Sequence, residues 1–128
     1  MKSLPYEEEE LVIRTLAMPN NTNINGDIFG GWIVSQMDLG GCIASQKITK
    51  GKTVTVAIDS MNFISPVAVG DVLCIYAKRL RIGKTSVTFN MKTYVTRRNT
   101  DNRELVTKAN FTFVKVNEHG IPTPILEI

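Results

Sequence analysis

The sequence predicts an α+β domain in which one long helix is wrapped by an antiparallel sheet, and three observations predict it. Residues 28 to about 46 are apolar and small, and Asp38 is the one charged side chain between Asp27 and Lys47, so this helix has no fully solvated face. Downstream, four stretches alternate apolar and polar residues at period two, as strands do when one face turns inward. The chain has 128 residues, 43% apolar and 21% charged, with no repeat, low-complexity tract or linker, which is the make-up of one domain with one core.

The first strand falls at residues 11–16. Residues 18–27 follow as a structured loop rich in Pro, Asn and Gly, which turn the chain or tolerate left-handed backbone. Asn25 or Asp27 is placed to cap the helix that comes next. Gly30, Gly31, Gly40 and Gly41 weaken a helix interior, so they predict close approach of another backbone or a ligand, and part of the helix surface is expected to meet a second subunit. Residues 53–64, 72–82, 87–96 and 105–113 are the remaining strands, read as a four-strand meander. A loop at 65–71, a tight hairpin at Gly83-Lys84 and a turn at 98–103 join them.

Charge is unevenly spread beneath a net value of +3. Glu7, Glu8, Glu9 and Glu10 stand together, whereas between Asp71 and Asp101 there is no acid and seven cations: Lys78, Arg79, Arg81, Lys84, Lys92, Arg97 and Arg98. Such a block either attracts phosphates or forms a solvated sheet face. Cys42 and Cys74 lie in apolar runs without zinc or disulfide spacing, which points to buried thiols in a reducing compartment. No export signal or apolar run of membrane-span length is read, so a cytoplasmic location is expected.

Asp38 is the residue that most needs a reason. Its helical neighbours Gly31, Val34, Gly41, Cys42 and Ser45 include no cation. A carboxylate poised in a cleft acts as general base or nucleophile, while the plainer alternative is a hydrogen bond to a neighbouring strand or subunit. The helix start, from Gly26 to Gly31, offers free N–H groups and a positive dipole end to a developing oxyanion, and Asn23 and Asn25 are candidate polarising amides. Other schemes fare poorly. There is no Gly-x-Ser-x-Gly elbow, the single histidine is His119 near the C-terminus, and neither a metal ligand set, a phosphate loop nor a dinucleotide fingerprint is present.

Leu16-Ala17-Met18-Pro19, then Thr22-Asn23-x-Asn25-Gly26-Asp27-Ile28-Phe29-Gly30-Gly31-Trp32 and Ser35-Gln36-Met37-Asp38-x-Gly40-Gly41, together resemble the hotdog-fold acyl-CoA thioesterases of the YciA type. Val54-Thr55-Val56, Met61-Asn62-Phe63, Pro66-Val67-x-Val69-Gly70-Asp71 and Thr85-Ser86 continue the likeness. The resemblance implies a hotdog fold, a central helix wrapped by a curved five- to six-stranded antiparallel sheet, over about residues 8–120 of a single domain 1–128. It further implies hydrolysis of acyl-coenzyme A to coenzyme A and a carboxylic acid, by dimers that assemble into hexamers, with no metal or organic cofactor.

By the same resemblance Asp38 is the catalytic carboxylate, as base or nucleophile. Gly30, with Gly31 as its competitor, gives the oxyanion N–H, and Asn23 orients water or substrate. Carboxylate and oxyanion donor are implied to come from opposite subunits. The coenzyme A phosphates are assigned first to Lys84, Thr85 and Ser86, then to Arg79, Arg97 and Arg98. Met61, Asn62 and Phe63 are candidates to line the pantetheine or acyl tunnel, and Cys42, Ile43 and Ala44 to face the acyl chain. The competing readings are a non-catalytic acyl-CoA binder, a nucleic-acid module and a hotdog dehydratase. The nucleic-acid reading is disfavoured because Phe89 and Tyr94 stand on opposite strand faces, and the dehydratase reading because His119 is poorly placed to pair with the carboxylate.

Overall fold

A computed structural model of the chain describes residues 4–125. Strand β1 (Glu10–Leu16) leads through the 3-10 turn Pro19–Asn21 to helix α1 (Gly30–Thr49), and strands β2 (Thr53–Phe63), β3 (Val72–Ile82), β4 (Ser86–Thr96) and β5 (Arg103–Lys115) follow. The five strands form one antiparallel sheet in the order β1-β3-β4-β5-β2. The α+β class and the positions of the helix and strands agree with the sequence reading.

The expected four-strand meander holds only for β3, β4 and β5. Strand β2 does not pair with β3; it lies at the far edge against β5, and β1 takes the place beside β3. Period-two alternation fixes the face on which a side chain lies, but it carries no information about which strand lies alongside. Residues 64–71 take the chain from one edge past the ends of β5 and β4.

Ile33, Met37, Ala44 and Ile48 form the apolar seam of α1 and join one core with Leu73, Ile75, Met91, Phe111 and Phe113 of the sheet. Two glycines let the helix sit low on that sheet. A Cβ on Gly40 would lie 2.7 Å from a Val12 methyl, and one on Gly41 would press into the Phe113 ring, itself packed between Phe89 and Phe111. The expected lack of a fully solvated face is not what this single chain achieves. The sheet covers one side, and Leu39 and Ile43 stay exposed on the other.

Neither Asn25 nor Asp27 caps the helix. The N-cap is Phe29, whose side chain makes no capping hydrogen bond, and the helix begins at Gly30 rather than Ile28. The Asn23 carboxamide has already recruited the upstream turn: its Oδ1 accepts from the N–H groups of Asn25 (2.9 Å) and Asp27 (3.3 Å). A bridge between Thr22 and Ile28 then closes that turn before the helix starts. An apolar N-cap usually costs about 1 kcal/mol relative to Ser, Thr, Asp or Asn.

The β2–β3 connection is clasped to the far end of β4. Asp71, 2% exposed, accepts from Arg97 Nη1 at 2.7 Å and from the Ala68 N–H at 2.9 Å. Arg97 also donates to Glu104 Oε2 (2.9 Å) and to the Pro66 carbonyl (2.8 Å). At the opposite end of the sheet the Gly83 N–H donates to the Ser86 carbonyl (2.7 Å), and the Ile125 N–H donates to the Lys84 carbonyl (2.9 Å), so the C-terminal segment backs the β3–β4 hairpin.

Candidate active site

Asp38 lies on the side of α1 that faces β2, half-buried, and its Oδ1 accepts a 2.6 Å hydrogen bond from Thr55 Oγ1. One phase earlier on the strand, Thr53 Oγ1 lies 2.6 Å from Ser45 Oγ within the buried contact between α1 and β2. Helix and edge strand are thus joined by two polar side-chain contacts. The carboxylate has a partner, as the plainer reading of Asp38 required. That partner holds one oxygen and leaves Oδ2 without a hydrogen bond among the described residues.

The role of Thr55 escaped the sequence reading, which quoted it only as part of a motif. A signal was there. Thr53 and Thr55 share the inward phase of β2, where a plain core strand carries apolar residues, and each meets a polar residue of α1.

The helix start is equally open. Phe29 N–H donates to the Asn21 carbonyl (2.6 Å) and Trp32 N–H to the Phe29 carbonyl (3.0 Å), so the N–H groups of Gly30 and Gly31 are left as the helix's free donors among the described residues. The Phe63 ring lies beside Gly30, 3.5 Å from the place a Cβ would take. Asn23 is half-buried close by in sequence; with its Oδ1 engaged by two backbone N–H groups, the amide presents Nδ2, a donor.

Asp38 and Gly30 are eight residues apart on one helix, about 12 Å along its axis. A single carbonyl needs its base and its oxyanion donor each within about 3 Å. The two halves within one chain are therefore not brought together.

The phosphate candidates divide into two sets. Thr55, Phe113 and Val87 lie in one row across β2, β5 and β4, so the hairpin bearing Lys84, Thr85 and Ser86 starts two strand spacings, about 10 Å, from the Asp38 partner. Arg97 and Arg98 follow the opposite end of the eleven-residue β4, roughly 33 Å away. The guanidinium of Arg97 is enclosed in the clasp with Asp71 and Glu104, and the stem of Arg98 packs on Gly70. Arg79 is tied to the N-terminal segment, donating Nη1 to the Pro5 carbonyl (3.0 Å). Sequence proximity within a cationic block did not translate into proximity in space, because a strand separates its two ends.

Met61 is half-buried against the core, and Asn62 Nδ2 donates to the Ser60 carbonyl (3.0 Å) at a bulge where Ser60 has φ 54°. Of the residues expected to face an acyl chain, Cys42 is half-buried and Ile43 exposed, but Ala44 is 0% exposed and belongs to the core seam. His119 is exposed in a turn after β5. Among the described residues no three or more His, Cys, Asp or Glu side chains gather as a metal site would need. No helix is long and apolar enough to cross a membrane.

Residues 25–99, which include Gly30, Gly31, Asp38 and Thr55, match the model of the thioesterase superfamily. The acyl-CoA thioester hydrolase YciA of Salmonella typhimurium is 48% identical over 119 residues, 91% of this chain and 90% of the relative. The hexameric thioesterase y2039 from Yersinia pestis superposes with a TM-score of 0.89 at 49% identity, covering 93% of this chain and 97% of that one. HI0827, a hexameric broad specificity acyl-coenzyme A thioesterase, superposes with a TM-score of 0.87 at 48% identity, covering 91% and 81%. With its carboxylate and its open helix start both in the matched region, the chain belongs to the thioesterase superfamily, among the hotdog-fold acyl-CoA thioester hydrolases of the YciA type.

Proposed function

We propose that this enzyme hydrolyses acyl-coenzyme A at a site built by two copies of the chain, with Asp38 from one and the Gly30 and Gly31 N–H groups from the other. The observation that carries the proposal is the carboxylate of Asp38, oriented by Thr55 yet two helical turns from the open N-terminus. A two-fold axis crossing the helix near residue 34 brings residue 30 of one copy beside residue 38 of its partner.

In that arrangement the thioester oxygen receives hydrogen bonds from the helix N–H donors, and Asn23 Nδ2 is available as another. Asp38 Oδ2 takes a proton from water as the water oxygen bonds to the acyl carbon. The tetrahedral oxyanion then collapses, the C–S bond breaks, and the coenzyme A thiolate leaves and takes up the proton. The N–H groups match the place where charge develops and need no reorganisation as it forms. None of these steps requires a metal or an organic cofactor.

Strand β2 supports the pairing of copies. It is an edge strand with Val54, Val56 and Ile58 39–55% exposed, and Leu39 and Ile43 extend the apolar surface across α1. An open apolar edge of this kind pairs with another strand unless it is blunted by charge or Pro. We extend the dimer to a hexamer because y2039 and HI0827 are hexameric. The coenzyme A phosphates are assigned to the Lys84-Thr85-Ser86 hairpin, and a cytoplasmic location is part of the same reading. Arg79 and Arg97 are left out, since both guanidinium groups are held by their own chain.

Thiol release from short, branched and long acyl-coenzyme A substrates tests the reading, with Asp38→Asn and Asp38→Ala compared at equal folding and assembly. Loss of at least about a hundredfold in kcat in both variants is expected. A parent protein that binds acyl-coenzyme A and releases no thiol would make it a binder instead.

A further inference from the structure

The start of α1 breaks the usual rule for helix capping at the place where the reaction needs free donors. Asn23, Asn25 and Asp27 all stand within six residues of the N-cap, yet the N-cap itself is Phe29, whose side chain has no atom able to accept a hydrogen bond. Its ring folds over the helix start, 2.6 Å from the place of a Cβ on Gly31, while the Phe63 ring lies 3.5 Å from that of Gly30. Both rings are 55% exposed, so they line an open approach rather than a closed core. Two aromatic rings flank two free N–H groups, and at position 31 the missing Cβ is what leaves room for the Phe29 ring.

We propose that Phe29 is a positioning residue for thioester hydrolysis: an N-cap chosen for its inability to cap. A Ser, Thr, Asp or Asn in its place would fold its oxygen onto the second or third N–H of the helix. The second is that of Gly31, and the third, that of Trp32, already donates to the Phe29 carbonyl. A capped helix would therefore consume a donor assigned to the thioester oxygen. The inference rests on the reading of Gly30 and Gly31 as oxyanion donors. It adds the claim that the residue ahead of them acts by leaving them unpaired.

Phe29→Ala and Phe29→Ser both remove the ring and differ by one acceptor oxygen, so their comparison isolates capping from packing. Phe29→Leu keeps an apolar wall if the smaller variants fold poorly. The expected result is a kcat for Phe29→Ser at least tenfold below that of Phe29→Ala at similar KM, with the Ser variant melting at the higher temperature of the two. Phe29→Leu is expected to keep a kcat above both. Equal kcat in the Ala and Ser variants overturns the proposal. Asp38→Asn, assayed alongside, separates the two layers. If it loses activity while Ala and Ser agree at position 29, the capping inference alone fails; if it keeps full activity, the shared-site reading and the inference built on it fail together.

Discussion

Thr55 Oγ1 reaches Asp38 Oδ1 at 2.6 Å, across the junction between the edge strand and the central helix. In the proposed site the hydroxyl would make its strand part of the catalytic geometry, since β2 is also the open edge of the sheet. Thr55→Val removes the donor while keeping the shape, and a kcat lower by about ten- to a hundredfold with little change in melting temperature is expected. Thr55→Ser should recover most of the rate. In Asp38→Ala/Thr55→Val the losses should fall short of multiplying, because both changes disable one group. Full activity in Thr55→Val would remove Thr55 from the mechanism.

The proposed division of the site between copies makes a prediction about mixtures. Gly30 is the first helical residue, and Phe29 before it has φ −62° and ψ 125°, a conformation that proline tolerates in its neighbour. Gly30→Pro therefore deletes one N–H from a folded helix, and a loss of about 10²–10³ in kcat is expected. Gly30→Pro and Asp38→Ala dimers are each disabled at both sites, but a mixed dimer regains one intact site. Unfolding and reassembling the two together should restore about a quarter of the parental activity by random pairing. Restoration absent from verified mixed dimers would place the whole site within one chain.

The clasp at the other end of the sheet ties stability to pH. The Glu104 carboxyl is held below the ordinary carboxylate range, first by its hydrogen bond from Arg97. A group with a depressed folded value contributes stability above its unfolded value and loses it as the pH falls through the folded value. Urea midpoints measured from neutral pH down to about pH 3 should decline more steeply in the parent than in Glu104→Gln. Arg97→Ala should be the more damaging change at neutral pH, by about 3–5 kcal/mol, because Asp71 would be left buried without its cation. An unchanged midpoint in Arg97→Ala would show the clasp to be dispensable.

Much of this molecule was legible in its sequence because two signals were strong. A helix with one charge makes Asp38 conspicuous, and period-two alternation marks the strands. Partnership was the hidden part. Nothing in the alternation says that β2 lies beside β5, and nothing in a cationic run says that Lys84 and Arg97 stand at opposite ends of β4. The cap was missed for a different reason: Asn25 and Asp27 have the right chemistry, but Asn23 draws both backbones into its own turn. Thr55 was hidden because a threonine is an ordinary strand residue until its inward phase and the facing carboxylate are read together.

The order of the sheet also sets an order of assembly. Strands β3, β4 and β5 close by short hairpins, whereas β1 waits for β3 and β2 waits for β5, across 55 and 39 residues of intervening chain. During synthesis the helix and the two strands beside it emerge first and find no sheet to join. The hairpins of the second half form the template, and β2 docks only after Arg103–Lys115 has been made. The open edge of the sheet therefore comes into being last, and any pairing of copies along it follows the folding of the whole chain rather than preceding it.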